Sequence, residues 1–195
     1  MSETGIPQAG GTEQEAEWIR RIAAGDRRAF EELYAVYAKR VFRFMIRMVR
    51  DEARAEELVN DVLVEVWKSA GRFEGRSKPS TWIFGIAHHK GLNALRGKKV
   101  QLTELDEASP IADPQEGADV AVDRGTLRKR VQAVLEELSP DHRTVVELTF
   151  FHGLSYPEIA EAIGCPTGTV KTRMFHAKKR LGPLLAELAA VEDSG

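Results

Sequence analysis

Among 195 residues there is one cysteine, Cys165, so disulfides within the chain and cysteine-rich zinc sites are excluded. Cys165 reads as a small apolar turn residue. No apolar run approaches the roughly 20 residues that a bilayer-spanning helix needs, so membrane insertion is not expected. The opening MSETGIPQAGGT has neither a basic start nor an apolar stretch, which leaves no export signal there and predicts a chain that stays in the cytoplasm. His88, His89, His142, His152 and His176 stand in no metal-ligand spacing with acids or cysteine. Adjacent His88 and His89 would project about 100° apart on a helix and would not easily chelate one ion. Phosphate-cradling glycine loops, nucleophile elbows and paired catalytic carboxylates are missing as well. Together these absences predict a protein that is no enzyme and holds no metal or cofactor.

What the sequence does have is ordinary in amount and unusual in arrangement. Apolar residues make up 43% and charged residues 30%, as in a soluble globular protein of one domain or two small ones. The net charge of −2 hides segregation. Arg76, Lys78, Lys90, Arg96, Lys98 and Lys99 fall in a window without an acid. Glu104, Asp106, Glu107, Asp113, Glu116, Asp119 and Asp123 fall in the next window without a base. Separate basic faces joined by an acidic connector would give this pattern; diffuse positive charge would not.

The spacing predicts an all-α fold with little strand signal and no internal repeat. After a disordered start over residues 1–12, a helix is expected over Glu13–Ala24 with Trp18, Ile19 and Ile22 on its apolar side, ended by Gly25. Asp26 should cap a long helix whose inward stripe is Phe30, Leu33, Tyr37, Val41, Phe44, Met45 and Met48. A partner over Glu52–Ala70 carries Ala55, Leu58, Val59, Val62 and Val66, with Gly71 at its end. Arg72 to Ser80, with its glycines and proline, reads as an exposed loop, and Ser80–Arg96 as a further helix with Trp82, Ile83, Phe84 and Ile86 as core. These helices form the first small domain, residues 13–96. Residues 97–118 read as a flexible acidic linker. The second domain, 119–188, opens with a helix over Val120–Leu138, and a tail of 189–195 follows it.

Within that second domain, SPDHRTVVELTFFHGLSYPEIAEAIGCPTGTVKTRMFHAKKRLG reads as three helices with two tight turns. Ser139 and Pro140 serve as cap and first helical residue. Phe150 and Phe151 could be taken for a strand, but the period around them is helical. The middle helix starts at Ser155, whose hydroxyl can cap the amides of Tyr156 to Glu158, buries Ile159, Ala160 and Ile163, and stops at Gly164 before Pro166. Small Ala160 permits a steep helix crossing. The last helix starts at Thr167, turns Val170, Met174, Ala177 and Leu181 inward, and carries Lys171, Arg173, Lys178, Lys179 and Arg180 on its outside. This is a helix-turn-helix pattern, suited to placing a helix in the DNA major groove. The pattern alone leaves open a helical protein that never touches DNA.

The same string resembles the fourth region of bacterial sigma factors, and EARAEELVNDVLVEVWKSAGRFEGRSKPSTWIFGIAHHKGLNALR resembles their second region. The similarity covers about residues 15 to 187. With only these two regions and a short acidic linker, the chain resembles the extracytoplasmic-function group of alternative sigma factors. The resemblance implies three surfaces. Glu56, Glu57, Asn60, Asp61 and Glu65 would dock on the clamp helices of the largest subunit of core RNA polymerase, with the polymerase flap as a further contact; an acidic face suits a basic helical partner. Phe73, Gly75, Arg76, Ser77, Lys78, Ser80, His89, Lys90, Asn93 and Arg96 would capture the unpaired strand at the −10 promoter element, where a flipped base needs a pocket and a strand needs cations. Thr169, Lys171, Thr172, Arg173, Phe175, His176, Lys178 and Lys179 would read the −35 element as duplex.

Three positions depart from the usual pattern. His89 stands where the family usually has asparagine, Asn93 where it often has aspartate, and His176 where many relatives have arginine. A neutral imidazole lacks the bidentate fork that a guanidinium offers to guanine, so base preference there should differ. Partners implied by the resemblance are core polymerase, promoter DNA and an anti-sigma protein. Two other readings remain: a helix-turn-helix regulator that binds duplex DNA without polymerase, and a polymerase-binding module that does not direct initiation.

Overall fold

The computed structural model describes residues 11–104, 134–135 and 137–192. Among them every regular element is helical, and they belong to two compact units, one of residues 11–104 with Glu161–Gly164 and the other of the remaining described residues. The acidic connector from residue 105 and the helix expected over Val120–Leu138, as far as residue 133, lie outside the described residues.

In the first unit, α1 spans Thr12–Ala23 and buries Trp18, Ile19 and Ile22 as the spacing predicts. Gly25, at φ +86°, turns the chain out of the helix, and Asp26 caps α2 (Arg27–Val49) by accepting from the amides of Arg28 and Ala29 at 2.9 and 3.2 Å. The Asp26 carboxylate also accepts from Arg21 Nε at 2.8 Å, and this bond, more than the capping amides, holds its pKa below the usual range. The buried stripe of α2 is Ala29, Leu33, Tyr37, Val41, Phe44, Met45 and Val49. It differs from the expected stripe at both ends, because Phe30 and Met48 sit one position off the inward line and are half-buried.

Helix α3, Glu52–Ser69, is capped by Asp51, which accepts from the Arg54 amide at 3.0 Å, and buries Ala55, Leu58, Val59, Val62, Leu63 and Val66. A single 3-10 turn, Ala70–Arg72, extends it through Gly71. Helix α4 runs over Pro79–Glu104, eight residues beyond the expected end at Arg96, so the first part of the expected linker is helical. Gly97, the first residue of the expected linker, does not end the helix, because an interior glycine costs only about 1 kcal/mol relative to alanine. Ile83, Phe84 and Ala87 pack inward; Trp82 and Ile86, expected in the core, are half-buried. At Gly91 a side chain would meet Met48 Sδ at 2.4 Å, so glycine there lets α4 approach α2. The unit holds a buried polar cluster: the Tyr37 hydroxyl donates to Glu15 at 2.9 Å, and the Arg40 guanidinium lies 4.7 Å from the Tyr37 ring centre.

In the second unit, α5 (Pro140–Phe150) begins at Ser139, whose hydroxyl accepts from the His142 amide at 3.4 Å. Arg143 is buried and donates to the carbonyls of Leu135 and Leu138 at 3.1 and 3.0 Å, tying the incoming chain to α5. Helix α6 spans Tyr156–Ile163. At its start the Glu158 carboxylate accepts from both the amide and the hydroxyl of Ser155 at 2.7 Å, the reciprocal half of a capping box. Its end is a Schellman turn, with Gly164 at φ +67°, its amide on Glu161 and the Cys165 amide on Ala160 at 3.0 Å. Helix α7 runs over Thr167–Glu192, past Pro183 and into the span expected to be a tail. Val170, Met174, Ala177 and Leu181 are buried as predicted.

Candidate nucleic-acid and polymerase interfaces

Glu56, Glu57, Asn60 and Asp61 lie exposed on α3, and Glu57 pairs with Arg54 at 2.6 Å. Val64 is 46% exposed on the same side of the helix, one turn after Asn60 and Asp61. Phe30 meets Trp67 at 5.3 Å and Tyr34 at 6.2 Å between ring centres, and Tyr34 is itself exposed. An apolar strip of Tyr34, Val64 and Trp67 thus accompanies the acids, and the sequence reading missed it. Its signal was present as apolar residues left off the inward stripes. Glu65 stands apart: its carboxylate lies 3.5 Å from Arg72 and 3.7 Å from Lys90, so it serves the neighbouring basic surface as well as the acidic face.

Between α3 and α4 the chain turns at Gly75, φ +70°, and presents Arg76, Lys78 and the half-buried Ser77 and Ser80. Arg76 pairs with Glu74 at 2.5 Å. Phe73 stacks at a tilt on Trp82, ring centres 5.1 Å apart. Helical spacing then lines up Trp82, Ile86, His89, Asn93 and Arg96 along one side of α4, opposite the buried Ile83, Phe84 and Ala87. At 1.5 Å per residue that line is about 21 Å long. An aromatic pair at one end, with Arg76 and Lys78 in the adjoining loop and Arg96 at the far end, matches what a single strand requires, a stacking surface and phosphate partners. Lys90 lies off the line, beside Glu65. Trp82 and Ile86, expected in the core, lie on this outer line instead; periodicity could not tell which of two adjoining apolar lines faces inward.

On α7, Thr172, Phe175, His176 and Lys179 follow i, i+3, i+4, i+7 spacing and point directly away from the buried line. Phe175 is 64% exposed. The Thr172 hydroxyl donates to the Gly168 carbonyl at 3.0 Å. Lys171 and Lys178 lie exposed on one flank; Thr169 and Arg173 lie half-buried on the other, where Arg173 pairs with Asp141 of α5. Among the described residues no group of three histidines, cysteines or acids is placed to hold a metal ion, and no helix is long and apolar enough to cross a membrane.

Known proteins identify this arrangement. Residues 33–100 match the model for sigma-70 region 2, and residues 128–181 match the model for sigma-70 region 4. The RNA polymerase sigma-H factor of Pseudomonas aeruginosa is 31% identical over 188 residues, covering 90% of this chain and 97% of the relative. The chain belongs to the sigma-70 family. Within it, it is a sigma factor of the extracytoplasmic-function group. CarQ of Myxococcus xanthus is 32% identical over 173 residues, covering 87% of this chain and 97% of that one. The ECF sigma factor SigK of Mycobacterium tuberculosis is 29% identical over 167 residues, 84% and 89% of the two chains. Among solved structures, RpoE of Bartonella quintana in complex with the anti-sigma factor NepR superposes with a TM-score of 0.62 at 27% identity, covering 80% of this sigma factor and 96% of RpoE. CnrH, solved with the cytosolic domain of CnrY, gives 0.65 at 22% identity over 89% and 98% of the chains, and shows the same helical fold.

Proposed function

We propose that this sigma factor directs transcription initiation through three surfaces: the acidic side of α3 with its apolar strip holds core RNA polymerase, the Phe73–Trp82 pair and the α4 line capture the opened −10 strand, and α7 reads the −35 duplex. The observation that carries this is the pairing, on one chain of the family, of a strand-length line on α4 with an outward-facing reading helix. A regulator that only bound duplex would have no use for the α4 line. Catalysis belongs to the polymerase; this chain supplies binding energy. Captured bases offset an unstacking cost of a few kcal/mol, which drives local opening.

The RpoE structure was solved with an anti-sigma factor. That supports an anti-sigma protein as a partner here, and a cytoplasmic place of action beside the polymerase. Transcription with purified core polymerase from a mapped promoter tests the whole reading. The chain should confer start-site selection that core alone lacks. Asp61→Lys with Glu56→Lys should weaken core binding by about tenfold or more, since reversed charges meet a basic partner. Wild-type affinity in that double variant would refute the α3 assignment. It is a sharper choice than Glu65, whose carboxylate already serves Arg72 and Lys90.

A further inference from the structure

We infer that Asp141 is a positioning residue for base reading: its carboxylate tethers the Arg173 guanidinium on one flank of α7, so Arg173 meets DNA in one orientation instead of swinging to the nearest phosphate. This rests on the reading of α7 as the duplex-reading helix. Asp141 and Arg173 stand 32 residues apart and join the first turn of α5 to the second turn of α7. The next turns of α7 repeat the alignment. His176 faces His142 with ring centres 6.0 Å apart, and Arg180 meets Glu137 at 3.2 Å. One flank of the helix is thus matched turn by turn from Arg173 to Arg180.

The tether is held at both ends. Asp141 lies one residue from His142, whose amide and Nδ1 both lie within hydrogen-bond reach of the capping Ser139 hydroxyl, at 3.4 and 3.0 Å. The Arg173 side chain is only 26% exposed, against 62% for Arg180, so its stem is packed while its head is bound. Among the described residues Lys171, Lys178 and Lys179 form no ion pair, so the loose cations lie off the flank that carries the paired Arg173 and Arg180. A guanidinium offers five donors in a rigid fork. With one nitrogen engaged by Asp141, the remaining edge is fixed for a base, and the charge that would favour any phosphate is largely cancelled. Specificity is a difference of affinities, and the tether raises it mainly by lowering the wrong one.

The test uses the full chain with core polymerase and a duplex library randomised across the upstream element, with bound pools sequenced and binding measured from 50 to 200 mM KCl. Asp141→Asn should flatten preference, by about tenfold, at the same base pair that Arg173→Ala flattens. On unselected duplex its salt slope should steepen by about 0.9, which over that fourfold salt range is a further change of about 3.5-fold in affinity. Asp141→Glu, which keeps the acid, should retain most of the preference. In an Arg173→Ala background, Asp141→Asn should change neither readout. Unaltered preference in Asp141→Asn, or an equal change with Arg173 already removed, overturns the tether and leaves α7 as the reading helix. A wild-type holoenzyme that enriches no sequence overturns both. Thermal unfolding of each variant separates a lost tether from a lost first turn of α5.

Discussion

Trp18, Tyr37, Phe44 and Phe84 are enclosed within the unit formed by α1–α4, whereas in the second unit Phe150, Phe151 and Phe175 are 64%, 48% and 64% exposed and every described core residue is aliphatic or small. The first unit is held by large interlocking rings, with Phe84 edge-on to Phe44 at 5.7 Å and tilted on Tyr37 at 6.4 Å. The second is held by Val145, Val146, Leu148, Leu154, Ile159, Val170, Met174 and Leu181, with Ala160 and Ala177 allowing close helix approach. It leans on caps and on Arg143 to define its shape. The four enclosed rings of the first unit therefore stabilise its fold, and the exposed rings of the second are left for contacts. The same residue type carries opposite meanings on one chain.

Substitutions at the two kinds of aromatic should give the largest contrast. Phe84→Ala should cost about 3–5 kcal/mol, as for other buried phenylalanines, and so remove much of the stability of its unit. Phe175→Ala should change stability by less than about 0.5 kcal/mol while weakening duplex binding. Trp18, Trp67 and Trp82 all lie in the first unit, so tryptophan fluorescence follows that unit alone, and circular dichroism follows both. Equal destabilisation by the two alanines would break the comparison.

Arg143→Met sharpens it from the other side. The charge-assisted bonds to the Leu135 and Leu138 carbonyls are lost, which should cost about 2–4 kcal/mol even with the stem replaced. Circular dichroism should show an early transition while the fluorescence transition stays in place. Smaller again is Gly164→Ala. Nothing lies within 4 Å of the added carbon, so the cost comes from φ +67° alone, about 1 kcal/mol. Loss of the fluorescence transition in Arg143→Met would mean that the two units do not unfold separately.

Sequence made the caps and the helix faces legible, because Ser139, Asp26 and Gly164 act on neighbours a few residues away and the inward lines repeat at fixed spacing. The expected helices also exist where the acids of 56–65, the polar residues of 89–96 and the basic residues of 171–180 fall, on α3, α4 and α7. What stayed hidden depends on distant partners. Trp82 reads as core until Phe73 is seen against it, and Arg173 reads as a free cation until Asp141 arrives from another helix. Glu15 is buried against Tyr37 and Arg40, and nothing near it in the chain announces either partner. Helix α4 outran its expected end because Gly97 weakens a helix without being able to stop one.

Glu15 gives the last and smallest contrast, a pH dependence confined to the first unit. Burial raises its pKa above 4.5, and the Tyr37 hydrogen bond and the Arg40 guanidinium at 3.9 Å only partly offset that. The folded state therefore binds this proton more tightly than the unfolded chain does, so the contribution is fully present below 4.5 and is lost as pH rises through the raised value. Asp26 acts in the opposite sense and in a separate window: its lowered pKa supplies stability above 3.8 that disappears as pH falls below it. Urea unfolding followed by tryptophan fluorescence at stepped pH should accordingly show stability falling as pH rises above 4.5. Glu15→Gln, whose side-chain oxygen still accepts from Tyr37, should remove that fall and leave the acid-side loss in place. A slope that persists unchanged in the glutamine variant would assign the dependence to another group and return Glu15 to the role of a neutral spacer.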